Sequence, residues 1–403
     1  MVMAVSGEEF APLWSLEPEV TFLNHGSYGA CPLRIQEAQS RYRRQLESEP
    51  VQFFLHQQEA ALDRSRRALG FFVGADPDDL VFVHNATSGV NLVLRSLAFE
   101  PGQELLTTNH AYAACRNSLE WNASRWGAKV TVADVPFPIA GPEMVVDAVL
   151  SKVSSRTKLA MLDHVTSPTG LVFPIGELVA QLERRGVETL VDGAHAPGMV
   201  ALDLRRIGAA YYTGNCHKWL CAPKGAAFLH VRPDKQASIV PLTISHGAAS
   251  LRTDRSRFRL HFDINATDDP SAYLCVADAI SYLAGLLPGA WNQLMDRNRR
   301  LALAARNLLC ASLGIDVPAP DEMLGSMAAI PLRESSMAVP VCSAQIDPLQ
   351  RSLFDRFKIE LPVWAWPAPP RRVFRVSAHL YNHDSQYEYL ANALRELGEA
   401  PHR

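Results

Sequence analysis

The chain has 403 residues, which at roughly 150 residues per domain predicts two or three folding units. Hydrophobic residues make up 48% and charged residues 20%, a balance that excludes intrinsic disorder for the bulk of the chain. The 39 basic and 42 acidic residues give a net charge of -3 and form no long single-sign runs, which argues against nucleic acid or an anionic membrane as partners.

The amino-terminal residues and the cysteines indicate where in the cell the protein is found. The first ten residues, MVMAVSGEEF, lack a basic flank followed by a sustained apolar core, and no apolar run approaches the ~20 residues of a membrane span. The seven cysteines are widely scattered, a pattern typical of reduced thiols. We therefore expect a soluble cytoplasmic protein.

Periodicity predicts the elements of the first part of the chain. Amphipathic helices are expected over residues 34–49 and 57–72, after a loop with the sequence TFLNHGSYGACP. From about residue 79 there follow short apolar runs separated by helical stretches: DLVFV, QELLTT, KVTVADV, KLAMLDH, VETLVD, AAYYTG and AAFLHV. Short runs with little alternation are typical of strands covered on both faces. The pattern predicts a doubly wound, mainly parallel α/β domain over residues 50–287.

A change of pattern predicts a second domain over residues 288–403. An LPGA turn precedes an Arg- and Leu-rich helix to about residue 313, followed by strand signals in GSMAAIPL and RRVFRVSA and a closing helix near 384–398. This is a smaller α+β domain. The prolines of LPVWAWPAPP, residues 361–370, exclude a central strand and favour an ordered loop. Its Trp364 and Trp366 either form a substrate wall or pack between the domains.

The predicted strands end in polar or glycine-containing turns, among them HNATSG, DHVTSPTG and DGAHAPG, where ligands bind in open α/β sheets. Asp192 ends VETLVD, and Lys218 follows the next strand in YYTGNCHKWL. A partly desolvated amine can attack a carbonyl, and a carboxylate can hold a pyridinium nitrogen, the pair that pyridoxal-phosphate chemistry requires. Asp192 also has an ordinary helix-cap or ion-pair interpretation. Of the seven lysines, Lys224 competes with Lys218, but it lies in a solvated Pro-Lys-Gly turn.

An anion site is indicated by HNATSGVN, which follows a strand and opens an amphipathic helix. The amides of Thr87, Ser88 and Gly89 would point at an anion from the helix N-terminus, and two hydroxyls would add donors. The alternative is an ordinary helix N-cap formed by Thr87 or Ser88.

Taken together, these motifs resemble the class V aminotransferase group of fold-type I pyridoxal-phosphate enzymes, and within it proteins similar to isopenicillin N epimerase. The motifs occur in family order from end to end: FLNHGSYGACP, HNATSGVN, TTNHAYAACRN, DHVTSPTGLVFPI, VDGAHAPG, YYTGNCHKWLCAPKGAAFL, NATDDPSAYL and FRVSAHLYN. The resemblance implies a homodimer with the active site at the subunit interface. It also implies that residues 1–49 pack with the small domain and the active site.

The resemblance assigns residues to the cofactor, pyridoxal 5'-phosphate. Lys218 would hold it as an internal aldimine, Asp192 would pair with the pyridine nitrogen, and His195 would bond the ring hydroxyl side. Together with the anion site above, it assigns the phosphate to Thr87, Ser88, Gly89 and His217. A further phosphate contact would come from Thr267 of the second subunit. Either His110 or Tyr112 would cover the ring.

The substrate contacts come from both ends of the chain. Arg375 matches the arginine that grips the α-carboxylate with a planar fork, although an ordinary ion pair is the alternative. Asn24 and His25 would line the substrate mouth. No metal site is predicted, because the spacing of Cys216, His217 and Cys221 matches no structural zinc pattern.

Several reactions remain compatible with this assignment. Cysteine desulfurases need a cysteine shortly before the carboxylate-binding arginine, whereas Cys342 lies more than thirty residues before Arg375, so a desulfurase is rejected. Overall similarity favours an epimerase or racemase acting by Cα deprotonation of an amino-acid substrate. Transamination and β- or C–S lyase chemistry are the alternatives. A non-catalytic cofactor-binding protein is disfavoured because the lysine, the aspartate and the arginine are all retained.

Overall fold

The structure is a computed structural model that describes residues 7–264, 267–341 and 343–399. Cys342 lies outside the described residues. In this part of the chain no helix combines the length and the apolar character that crossing a membrane requires.

The strands, in chain order, are β1 (Thr21–Phe22), β2 (Leu80–Val83), β3 (Glu104–Thr108), β4 (Lys129–Ala133), β5 (Thr157–Asp163), β6 (Glu188–Asp192), β7 (Tyr211–Asn215), β8 (Ala227–Val231), β9 (Met327–Leu332), β10 (Ile359–Glu360), β11 (Val363–Ala365) and β12 (Arg372–Ser377). The α-helices are α1 (His25–Tyr28), α2 (Leu33–Ser48), α3 (Pro50–Gln52), α4 (Gln58–Val73), α5 (Ala86–Ser96), α6 (Ala113–Trp126), α7 (Glu143–Leu150), α8 (Ile175–Glu183), α9 (Leu204–Ile207), α10 (Arg257–Asp263), α11 (Ser271–Ala284), α12 (Ala290–Leu313), α13 (Pro348–Phe357) and α14 (Asp384–Glu396). A π-helical turn, Phe53–Gln57, joins α3 to α4.

The central sheet has seven strands in the order β2–β8–β7–β6–β5–β3–β4. β8 runs antiparallel to both of its neighbours, and the other strands are mutually parallel. Separate clusters of buried apolar side chains cover the sheet, with α5 and α6 contributing to one and α7, α8 and α11 to the other. Burial on both faces removes the need for alternation, which explains the continuous apolar runs. The predicted doubly wound, mainly parallel sheet is confirmed.

A smaller antiparallel sheet has the order β11–β12–β9, and α12 and α14 pack together beside it. The prediction of a loop over residues 361–370 is wrong for β11, which is an edge strand. Its prolines lie outside the three paired residues, so they cost no hydrogen bond in the ladder. The carboxyl-terminal helix and the two main strand signals were predicted correctly.

The amino-terminal segment contacts both parts of the molecule. β1 pairs in parallel with β10 of the carboxyl-terminal part, and the amide of Ser377 donates to the carbonyl of Leu23 at 2.8 Å. On the other side, Tyr42 of α2 donates to the Asp278 carboxylate of α11 at 3.0 Å. The segment therefore lies between the two parts, while the boundaries at 49/50 and 287/288 stay predictions.

Candidate active site

A cavity of about 780 Å³ lies beyond the carboxyl ends of β5, β6 and β7, within the usual size range of small-molecule sites. It occupies the edge of the sheet at which ligands bind in this architecture. Eight of the residues singled out by sequence line it: Thr87, Ser88, Tyr112, Asp192, His195, His217, Lys218 and its competitor Lys224. The structure thus brings together side chains that are more than a hundred residues apart in the chain.

Lys218 follows β7 and meets the turn after β6. Its Nζ lies 3.1 Å from Nε2 of His195. Burial lowers the pKa of Lys218 to about 7, assisted by the nearby Arg375 cation and opposed by Asp192. Burial, and next the charge of Lys218, lower the pKa of His195 well below its usual value. A neutral imidazole therefore faces an amine of which a large fraction is unprotonated at neutral pH.

Asp192 ends β6 and is 3% exposed. Its carboxylate accepts hydrogen bonds from the Ala194 amide at 3.0 Å and from the Cys115 thiol at 3.1 Å. Burial raises the pKa of Asp192, whereas these two hydrogen bonds and Lys218 lower it. The thiol of Cys115 was not predicted, since nothing in its sequence position on α6 marks it as a neighbour of β6.

A second carboxyl group lies beside Asp192. Asp163 ends β5, is the direct cross-strand partner of Asp192, and also lines the cavity. Burial, followed by the charge of Asp192, raises the pKa of Asp163 well above its usual value. Neighbouring buried carboxyl groups do not both ionise readily. Sequence reasoning missed Asp163, although it stands at a strand end in DHVTSPTG just as Asp192 does in DGAHAPG.

The start of α5 differs from the prediction. The N-cap is Asn85, whose side chain accepts from the Ser88 amide at 2.8 Å and whose carbonyl accepts from the Gly89 amide at 3.1 Å. The expectation that these two amides point at an anion is therefore not met, and neither Thr87 nor Ser88 is the N-cap. Both hydroxyl-bearing side chains nevertheless line the cavity.

Gly89 and His217 flank this end of the cavity. A Cβ at Gly89 would lie 2.3 Å from Oγ1 of Thr213, so glycine lets α5 approach β7 closely. Nδ1 of His217 lies 3.0 Å from the carbonyl of Ala226 and donates to it, and burial lowers the pKa of His217 to about 4. Thr267 is exposed and is not among the residues that line the cavity.

The structure separates the two candidates for covering the ring. His110 is fully buried, its Nδ1 lies 2.7 Å from Oγ1 of Thr169, and its Nε2 lies 3.0 Å from the Val135 carbonyl. Its ring packs on Trp366, with centroids 4.5 Å apart. Tyr112, by contrast, is 42% exposed and lines the cavity.

Arg375 on β12 is 2% exposed. Its guanidinium donates to the Ser167 carbonyl and, at 3.3 Å, to the Ser27 hydroxyl, and both serines line the cavity. No carboxylate forms an ion pair with it among the described residues, and its Nε is buried without a partner. Burial lowers the pKa of Arg375 to about 10, so it remains charged at neutral pH. The ion-pair alternative finds no partner in the described chain.

The two tryptophans of the Pro-rich stretch pack rather than line the cavity. The Arg375 guanidinium lies over the Trp364 ring, 5.3 Å from its centroid. Trp366 packs edge-on against Phe137 of the large domain, with centroids 5.6 Å apart. The structure therefore favours packing between the domains over a substrate wall for Trp364 and Trp366.

Asn24 and His25 do not line the cavity; Ser27 and Tyr28 of the same loop do. Asn24 accepts from the Ser27 hydroxyl at 2.6 Å. His25 is fully buried, because its ring passes beneath the lysine turn and contacts the Lys218 carbonyl at 3.0 Å.

Three buried side chains, His25, Cys221 and His379, bring potential metal-ligating atoms within 4.8 Å of one another. The two imidazoles are stacked, with centroids 4.3 Å apart and planes at 20°, so their lone pairs do not converge. Both nitrogens of His25 already face polar groups, the Tyr381 hydroxyl and the Lys218 carbonyl. The arrangement is that of a hydrogen-bonded aromatic cluster.

Comparison with known proteins places these features in context. Residues 31–337 match the family model Aminotransferase class-V. The chain is 34% identical to isopenicillin N epimerase of Streptomyces clavuligerus, over 98% of this chain and 99% of that protein. It is 30% identical to putative L-cysteine desulfhydrase 2 of Oryza sativa subsp. japonica, over 94% and 84%. The solved structure of the cysteine desulfurase CsdA from Escherichia coli superposes with a TM-score of 0.78 at 19% identity, over 98% and 99% of the two chains.

Proposed function

Because the chain belongs to the class V aminotransferase family of pyridoxal-phosphate-dependent enzymes, we propose that it removes and returns the α-proton of an amino acid or amino-acid-containing substrate as an epimerase or racemase. The observation that carries the proposal is the Lys218 amine, which shares the cavity with Asp192 and lies 3.1 Å from His195. Similarity to isopenicillin N epimerase supports this outcome over the others.

The residues of the cavity fit the cofactor. Lys218 would hold its aldehyde carbon, and Asp192, which lines the cavity, would hold its ring nitrogen. Nδ1 of His195 is buried without a partner, as expected of a donor or acceptor reserved for the ring hydroxyl. Thr87, Ser88 and His217 would take the phosphate. When bound, pyridoxal phosphate supplies an electron sink for negative charge at Cα.

The substrate would be oriented by Arg375. A buried guanidinium without a carboxylate of its own is suited to a ligand carboxylate, which it can bind through two parallel hydrogen bonds. Held there, the Cα–H bond would face Lys218, whose pKa of about 7 lets the amine both take and give a proton near neutral pH.

Epimerisation also needs a proton donor on the opposite face of Cα. Tyr28 and Tyr112 carry the phenol groups that line the cavity. We assign the cover of the cofactor ring to Tyr112, since His110 lies in the interior. In that role the Tyr112 phenol would be the proton donor.

A C–S lyase is the second candidate, supported by the 30% identity to an L-cysteine desulfhydrase. None of the six described cysteines lines the cavity, and the segment before Arg375 contains no cysteine. A thiol acceptor of the kind that desulfurases use is therefore missing from the described part of the site. Transamination is the remaining outcome of the same deprotonation.

The proposal includes a cytoplasmic homodimer. Leu242 lines the cavity and is 52% exposed, and Ile244 and Leu251 of the same segment are 70% and 96% exposed. A second copy would cover this apolar segment and would bring its own Thr267 to the phosphate. The six described cysteines are free, in keeping with a reducing compartment.

The test is Cα deuterium exchange across an amino-acid panel in heavy water, using the protein loaded with pyridoxal phosphate. Exchange with inversion selects epimerisation, keto acid with pyridoxamine phosphate selects transamination, and pyruvate with ammonia selects a lyase. Lys218→Ala is the matched control. Absence of exchange with every substrate by a protein that carries the cofactor would contradict the proposal.

A further inference from the structure

We propose that His25 is a positioning residue, which holds the main chain of Lys218 in place from the amino-terminal loop and links it to the small domain. The inference rests on the proposed function, since it concerns the lysine that would bind the cofactor. His25 itself lies outside the cavity lining.

The hydrogen bonds of His25 define one tautomer. Nε2 lies 3.0 Å from the Lys218 carbonyl oxygen, which can only accept, so Nε2 carries the hydrogen. Nδ1 therefore accepts from the Tyr381 hydroxyl, 2.7 Å away. Burial lowers the pKa of His25 to about 3, so the ring stays neutral and this pattern persists at working pH.

The loop containing His25 also packs directly on the lysine turn. Gly29 has a φ of +72°, and a Cβ there would lie 2.1 Å from the His217 carbonyl oxygen and 3.0 Å from Cα of Lys218. The amine of Lys224 donates to the Gly29 carbonyl at 3.0 Å. Two contacts besides that of His25 thus join the loop to residues 217–224.

Aromatic packing fixes the His25 ring between its hydrogen bonds. The ring stacks on His379 with centroids 4.3 Å apart and packs against Trp219 at 4.7 Å. Cys221 lies 3.9 Å from its Nε2. The Lys218 carbonyl also accepts from the Cys221 amide within the turn, at 3.0 Å, so His25 supplies the hydrogen bond that joins this carbonyl to the amino-terminal loop. Loss of His25 would remove that hydrogen bond, which favours movement of the turn.

The link reaches the small domain through Tyr381, which follows β12, the strand that carries Arg375. One hydrogen-bonded chain, Tyr381 to His25 to Lys218, therefore connects the substrate-carboxylate strand with the cofactor lysine. Its role is to keep the distance between these two cations constant.

The test compares His25→Phe, which keeps a flat ring but removes the donor, with His25→Gln, whose amide can restore it. Each protein is loaded with pyridoxal phosphate, and three quantities are measured: the pH midpoint of its visible absorbance, the rate of cofactor loss on dialysis, and the thermal midpoint. His25→Phe is expected to lose cofactor about fivefold faster, the factor that corresponds to one lost hydrogen bond, and to shift the absorbance midpoint. His25→Gln is expected to return both values toward wild type.

The inference would be overturned if His25→Phe had the same absorbance midpoint and the same rate of cofactor loss as the wild type. It would also be overturned if His25→Gln lost cofactor as fast as His25→Phe and had the same absorbance midpoint. If His25→Phe does not fold, Tyr381→Phe decides: a shifted absorbance midpoint supports the relay, and an unchanged one overturns it. Failure of the proposed function is distinct, because the cofactor-loaded wild-type protein would then show no Cα exchange, whatever the His25 variants do.

Discussion

Lys218 lines the proposed cofactor end of the cavity, and Arg375 donates hydrogen bonds to Ser27 and Ser167, which line the proposed substrate end. Neither cation forms a carboxylate salt bridge among the described residues, but desolvation acts differently on the two. At the cofactor end, burial brings the pKa of Lys218 down to about 7, so the amine becomes a usable nucleophile and base. At the substrate end, burial brings the pKa of Arg375 only to about 10, so the guanidinium stays charged. Under the proposed function, the same desolvation would make lysine a reactive group and leave arginine a permanent anion-binding group.

The largest expected effect comes from removing the reactive cation. Lys218→Ala should lower the rate of Cα exchange roughly 10²- to 10⁴-fold, the usual contribution of a positioned acid–base group. Lys152→Ala, at an exposed lysine outside the cavity lining, is the matched control and should retain the exchange. Equal losses in both variants would contradict the assignment of Lys218. Exchange is measured by mass spectrometry of the recovered substrate.

Arg375→Met tests the substrate end. It should lower kcat/KM about 10- to 100-fold, the value of a charge-assisted hydrogen-bonded pair, while cofactor content stays at the wild-type level. Arg375→Lys keeps the charge without the planar fork, so its kcat/KM should lie between the values of the wild type and of Arg375→Met. Unchanged KM and kcat in Arg375→Met would show that the guanidinium does not bind the substrate.

The pH dependence of cofactor capture tests whether the pKa of Lys218 is lowered as described. Because only the neutral amine attacks the aldehyde, and because the Lys218 pKa is about 7, the capture rate of the apo protein should rise about tenfold from pH 6 to pH 8 and then level off. Stopped-flow absorbance measures this rate. A rate that continues to rise to pH 10 would indicate an ordinary lysine.

The smallest effect is expected at the second carboxyl group. The pKa of Asp163 is raised in the folded protein, so its contribution to stability is present at low pH and is lost as pH rises toward the folded pKa. Asp163→Asn should therefore unfold at higher denaturant concentration than wild type at neutral pH and above, with the difference vanishing near pH 3. Asp192→Asn serves as the contrast, since it should weaken cofactor binding. A destabilised Asp163→Asn protein at pH 8 would contradict a raised pKa of Asp163.

Sequence predicted the large-domain end of the cavity better than the small-domain end, for physical reasons. Lys218 and Asp192 follow apolar runs whose carboxyl ends must meet at one edge of a parallel sheet, so their proximity follows from the pattern. The alternative to an anion site at the start of α5 was a cap formed by Thr87 or Ser88, whereas the cap is Asn85, because neighbouring polar residues all suit that position. The depth of His25 and the partners of Arg375 depend on long-range packing that local pattern does not specify.

Borohydride reduction of the cofactor-loaded protein, followed by peptide mapping, tests the central claim most directly. The account predicts that the pyridoxyl-phosphate mass is found on Lys218 and that Lys218→Ala carries none. The label on Lys224 or on another lysine, or a wild-type protein that retains no label, would contradict it.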